Sequence, residues 1–84
     1  MVENTHLYFV LRIPAEVTLT VYNVAGEIIV KQVQTLAAGK NILVWEGKNE
    51  SGGRCASGVY LVKVKALSAS GERDDLWTTV VIAR

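Results

Sequence analysis

One cysteine, one histidine and one proline are all the 84 residues contain of those three types. Each scarcity removes a class of protein. A lone Cys55 makes no intramolecular disulfide, which excludes a small secreted scaffold stapled by cross-links. It lies in the small-residue stretch Arg54-Cys55-Ala56-Ser57-Gly58, far in sequence from any imidazole, and reads as an inert, partly buried thiol. A lone His6 allows neither a histidine-based metal cluster nor a Ser-His-Asp triad within one chain, and it reads as an outward-facing strand residue. Charge of one sign is missing too. Nine Lys and Arg against eight Asp and Glu leave a net charge of +1 with no block of like charges, so neither a nucleic-acid footprint nor a polybasic membrane patch is present. Half of the residues are hydrophobic, yet no apolar run approaches the roughly 20 residues a membrane helix needs. The chain starts Met1-Val2-Glu3-Asn4, without the basic and then apolar pattern of a secretory leader. It is therefore expected to be either cytosolic or a mature piece of an exported protein.

Helical periodicity is the next absence. No i, i+3, i+4 apolar pattern is sustained, whereas Val, Ile, Thr and aromatic residues alternate over short runs. The first predicted strand is His6–Ile13, with Leu7, Phe9, Leu11 and Ile13 on one face and His6, Tyr8, Val10 and Arg12 on the other. Pro14 ends it. Val17, Leu19 and Val21 then alternate with Thr18, Thr20 and Tyr22, the cleanest half-buried strand of the chain. Asn23-Val24-Ala25-Gly26 reads as a hairpin turn into a third strand, from Glu27 to about Gln34. Ala38-Gly39-Lys40 turns into a fourth, Asn41–Glu46, followed by the irregular segment from Gly47 to Ser57. Tyr60, Val62, Val64 and Ala66 form one face of a fifth strand, Gly58–Leu67, with Lys63 and Lys65 on the other. Ser68 to Asp75 reads as a polar loop around Gly71, and Leu76–Ala83 as the last strand. Six to seven strands at this spacing predict a single all-β domain over residues 1–84, an antiparallel sandwich or small barrel. A chain of this length buries only about 60–65% of its unfolded surface, which leaves no room for a large enclosed substrate cavity.

A more specific pattern lies in the middle. The stretch from Val17 through Tyr22-Asn23 to Gly26 is followed by Ala38-Gly39, Val44-Trp45-Glu46-Gly47, Gly52-Gly53 and Ser57-Gly58-Val59-Tyr60. This resembles the small immunoglobulin-like domain of the flagellar hook-capping protein type. It is also similar to the C-terminal sorting and anchoring domains of proteins exported by the type IX secretion route. The resemblance spans about residues 7–67 and implies an Ig-like β-sandwich. In that frame Gly26 and Gly39 serve hairpin turns, Trp45 fills the space between the sheets, and Gly47 closes the corner after it. Gly58 lets the long loop re-enter the sheet, and Tyr60 resembles a corner tyrosine with its ring inward and its hydroxyl on loop backbone. Two positions depart from the pattern: Glu46 stands where Asp is usual, and Cys55 where a small aliphatic residue is commoner.

The chemistry-bearing residues point away from catalysis. Glu72, Asp74 and Asp75 surround Arg73 in what reads as a solvated hairpin tip. Glu46, Asn49, Glu50 and Ser51 offer oxygen ligands without the Asp-rich spacing of a calcium loop, and Asn49-Glu50-Ser51 matches a glycosylation sequon by its three residues alone. Gly52-Gly53 lacks the Lys-Ser/Thr and helix of a phosphate loop. No cofactor is implied. The expected function is that of a non-enzymatic structural or interaction module, extracellular or at the cell surface, without membrane insertion. It would act either as the C-terminal module of a larger exported protein or as a self-assembling subunit. Hook-capping itself stands further off, because there the domain sits inside a larger chain with an export segment. The expected partners are proteins: other copies of the chain, or the rest of a larger one. The expected contact lies on the terminal strands, through Leu7, Tyr8, Phe9, Val10 and Leu11 at one end and Trp77, Val80, Val81 and Ile82 at the other, because a strand edge with open N–H and C=O groups accepts another strand. The competing class is a carbohydrate- or ligand-binding sandwich using Trp45, Trp77 or Tyr8. It requires Trp77 to be exposed beside Tyr8 on a flat face, and core burial is the expectation for a strand Trp.

Overall fold

The computed structural model describes residues 5–83, and every element in them is a strand. The six are β1 (Thr5–Leu11), β2 (Ala15–Tyr22), β3 (Ile28–Leu36), β4 (Gly39–Trp45), β5 (Gly58–Ser68) and β6 (Arg73–Ile82). Strands β1 and β4 form one two-stranded sheet; the other sheet has the order β3-β2-β5-β6, and every pair is antiparallel. The all-β, two-sheet Ig-like sandwich expected from the sequence is thus present, with six strands.

Alternation along each strand decides which residues meet between the sheets. Ala15, Val17, Leu19 and Val21 of β2 and Tyr60, Val62 and Val64 of β5 form the floor of the core. Leu43 and Trp45 of β4 cover them, joined by Val30, Cys55 and Ile82. Leu7, Phe9 and Leu11 of β1 pack against the rim of the same cluster. Trp45, Leu19, Val17, Val21 and Val62 are each almost wholly buried, and each such side chain stabilises the fold by about 1.5–3 kcal/mol relative to an exposed one.

Two hairpins depend on asparagine or serine rather than on glycine alone. The Asn23 Oδ1 accepts hydrogen bonds from the backbone N–H groups of Ala25 and Glu27, both at 3.0 Å, and Gly26 completes the turn at φ +84°. Gly39 takes φ +109°, a conformation costly for any residue with a Cβ, at the point where the chain passes from β3 to the other sheet. The β5–β6 hairpin is tighter than the sequence suggested. The Ser68 N–H donates to the Glu72 carbonyl at 2.9 Å, and the Glu72 N–H to Ser68 Oγ at 3.0 Å. β6 therefore begins at Arg73, and Asp74 and Asp75 lie within it instead of at a loop tip. Asp75 stands opposite Lys65, so opposite charges across the ladder offset the low strand propensity of Asp.

Candidate functional site

Three features outside the core have enough structure to serve a function: a rigid loop, an aromatic row on the outer face of the larger sheet, and the open strand edges.

The loop between β4 and β5 is held by side chains from both ends. The Trp45 indole N–H donates to the Lys48 carbonyl at 3.0 Å, and the Tyr60 hydroxyl donates to the Ala56 carbonyl at 2.7 Å. The two rings meet edge to face. Gly47 accepts the Cys55 N–H at 2.8 Å, and Lys48 and Arg54 form a bridge between them. Within it, Asn49 Oδ1 takes the N–H groups of Ser51 and Gly53 at 3.0 and 2.8 Å. The oxygen that would serve a cation, and the asparagine of the sequon, are therefore employed in shaping the loop. Glu46 reaches Lys48 at 3.6 Å, both side chains largely exposed. The described residues include no group of three or more His, Cys, Asp or Glu that could hold a metal ion. Cys55 is in the core, 8% exposed.

On the outer face of the larger sheet, Trp77 is 54% exposed and stacks on Tyr22 with 5.9 Å between ring centroids. Lys63, opposite Trp77 in register, places its ammonium 5.3 Å from the indole centroid. The expected core burial of Trp77 is overturned. β6 is apolar on both faces, and its pairing with β5 puts Leu76, Thr78, Val80 and Ile82 on the inner row, leaving Trp77, Thr79 and Val81 outside. The geometry required for a carbohydrate platform is not met: Tyr8 belongs to the other sheet, Trp45 is buried, and the Trp77 ring is already engaged by Tyr22 and Lys63.

The terminal-strand residues divide by row. Leu7, Phe9 and Leu11 point into the core rim, while Tyr8 and Val10 are 76% and 72% exposed beside Ile42 of β4. His6 is exposed in the same outer row, its ring 6.5 Å from that of Tyr8. Val80 and Ile82 face inward and Val81 outward. β1 and β6 lie in different sheets, but on the same side of the sandwich. Arg12, just beyond β1, pairs with Glu72, just before β6, at 2.8 Å, and Val10, Leu11, Arg73 and Asp74 line one cleft. On the far side Trp45 and Glu46 share a cleft with Val30 to Gln32, so β4 stands over β3.

Residues 2–70 match the model of the FlgD Ig-like domain. The chain belongs to that family. No curated protein matches it. Two solved structures show the fold in full. FlgD from P. aeruginosa superposes with a TM-score of 0.73 at 22% identity, over 93% of this chain and 61% of that one. FlgD from Xanthomonas campestris, studied for the hook capping essential for flagellar assembly, superposes with a TM-score of 0.76 at 20% identity, over 94% and 57%. The chain thus spans about three fifths of these FlgD structures. At these identities the likeness is one of fold. Of these features, the Trp45 corner and Tyr60 were carried by the sequence pattern, whereas the Asn49 hub and the Tyr22–Trp77 stack carried no motif. The part of the resemblance that concerns sorting domains rests on the sequence pattern alone.

Proposed function

We propose that this chain is a non-enzymatic structural module of the flagellar hook-capping type, acting outside the cytoplasm through contacts with other proteins. The observation that carries this reading is the family match across residues 2–70, which takes in both the Trp45 corner and Tyr60. The physical design supports it. The side chains between the sheets fill a closed core, and the Asn49 amide oxygen holds the long loop. Exposed apolar side chains for recognition lie on the outer rows around Tyr8, Val10, Trp77 and Val81, on edge strands of the two sheets. Such surfaces suit protein partners, through strand addition and hydrophobic contact.

The reading is tested in the organism that encodes the chain, by immunogold labelling of whole cells with an antibody against these 84 residues. Label outside the cell at the flagellar hook is the expected result. Label confined to the cytoplasm overturns the proposal.

A further inference from the structure

The outer face of the larger sheet sorts its side chains along the strands. Register sets Ile28, Tyr22, Leu61 and Thr79 in one row, and Lys31, Thr20, Lys63 and Trp77 in the next. Beyond the first row, toward Gly58, stand Val59 and Val81, both exposed. None of these residues is acidic. Asp75, opposite Lys65, belongs to the row after them, and Glu16 to the one after that. Glu27, in the turn before Ile28, accepts a hydrogen bond from the Asn23 amide nitrogen at 2.9 Å. Neither Lys31 nor Lys63 has an ion-pair partner among the described residues. Half of this face is therefore apolar and cationic, in a chain whose net charge is only +1. It is also held in place. Strands β2 and β6 flank β5 and lie about 10 Å apart, yet the Tyr22 and Trp77 ring centroids are 5.9 Å apart, so the two rings lean toward each other across β5. Thr20 faces outward and is still only 6% exposed, because its neighbours in these rows close over it.

We infer that this half of the sheet is the docking surface for an acidic segment of a different protein, one whose carboxylates flank an aromatic or large aliphatic side chain. Charge complementarity sets the sign. Lys31 and Lys63 stand on either side of β2, about 10 Å apart, and await carboxylates that the chain itself does not supply. The anchor is the indole. Trp and Tyr carry a large share of the binding energy at protein interfaces, and a ring already fixed by Tyr22 and Lys63 loses little freedom on binding. Trp77 remains 54% exposed, with Leu61 and Val81 beside it to receive an apolar side chain. A second copy does not fit. Two of these faces would oppose lysine to lysine, and the outer face of β1 and β4 offers His6, Tyr8, Val10, Lys40, Ile42 and Val44, without a carboxylate. An open sheet face gives a small molecule little enclosure, so the partner is a macromolecule. The apolar half selects a protein over a nucleic acid, whose binding faces are much more strongly positive than two lysines near an Asp.

The inference rests on the reading above that the chain works through other proteins, and it names the chemistry of one of them. The probe is a phage library of random dodecapeptides, selected on the immobilised 84-residue chain and depleted on its Trp77→Ala variant. The expected survivors carry net negative charge together with an aromatic or large aliphatic residue. The commonest of them, synthesised, binds Trp77→Ala and the Lys31→Gln, Lys63→Gln double variant about tenfold more weakly than the wild type. It binds Lys40→Gln, altered on the other sheet, as tightly as the wild type, and it shifts the Trp77 indole N–H resonance. Circular dichroism checks the fold of each variant, and the lysine variants with the indole resonance decide the matter even if Trp77→Ala is unfolded. An empty selection, survivors that are neutral or basic, or an affinity indifferent to Lys31 and Lys63 overturns the inference. So does an oligothymidylate bound as tightly as the peptide through the same lysines, which would make the ligand a nucleic acid. Failure here leaves the hook-cap reading standing, since that is decided by labelling in cells.

Discussion

Trp45 and Tyr60 meet edge to face, 5.5 Å apart and at 65°, and each closes one end of the same loop with a hydrogen bond to its backbone. The pair does two things at once. It fills the centre of the core, and it fixes the segment from Gly47 to Ser57 without any regular structure of its own.

The expected consequence is an unequal response to trimming each ring. Trp45→Ala destabilises the chain by about 3–5 kcal/mol, a cavity cost in a core this thin. Tyr60→Phe keeps the ring and loses only the bond to Ala56, about 1 kcal/mol. Urea unfolding followed by far-ultraviolet circular dichroism measures both. Equal losses for the two variants would mean that the hydroxyl does more than hold the loop.

Asn49 is the second point of control. Its Oδ1 satisfies two loop N–H groups, and the same loop turns Glu50 toward the Ile29 carbonyl on the edge of β3. Asn49→Ala is expected to cost about 1–2 kcal/mol and to speed amide exchange at Gly53 and Glu50, while Asn49→Asp, which keeps the acceptor, costs less. Unchanged exchange at Glu50 in Asn49→Ala would show that the loop covers the β3 edge without its asparagine.

These residues also mark how far the sequence could be read. The alternation of Val17, Leu19 and Val21 with Thr18 and Thr20 was legible because one face of β2 is dry and the other is not. Trp45 and Tyr60 were legible because a family pattern singles them out. The start of β6 was not, since Asp74 and Asp75 look like a loop until Lys65 is placed opposite Asp75. Nor was the direction of Trp77. With apolar residues on both rows of β6, only pairing with β5 decides which row is buried, and pairing is long-range information. The Glu50–Ile29 bond escaped for a similar reason, being made by backbone atoms 21 residues apart in the chain.

The two tryptophans should therefore report different environments. In Trp77→Phe the remaining Trp45 emits at short wavelength and resists quenching by acrylamide. In Trp45→Phe, provided circular dichroism shows it folded, Trp77 emits at longer wavelength and is readily quenched. Trp77→Ala costs about 1 kcal/mol or less, in line with a stack on the surface. A protected Trp77 in the dilute chain would contradict the register of β6.

The central claim is that the core and the long loop act as one unit, the loop held by Trp45, Asn49 and Tyr60 and laid on the edge of β3 through the Glu50 N–H and the Ile29 carbonyl. Hydrogen exchange of single amides in the native chain tests it most directly. The account predicts that the Glu50, Gly53 and Cys55 amides are protected together, exchanging well below the rate of an open loop. Exchange of these three amides at the rate of an unstructured peptide would contradict it.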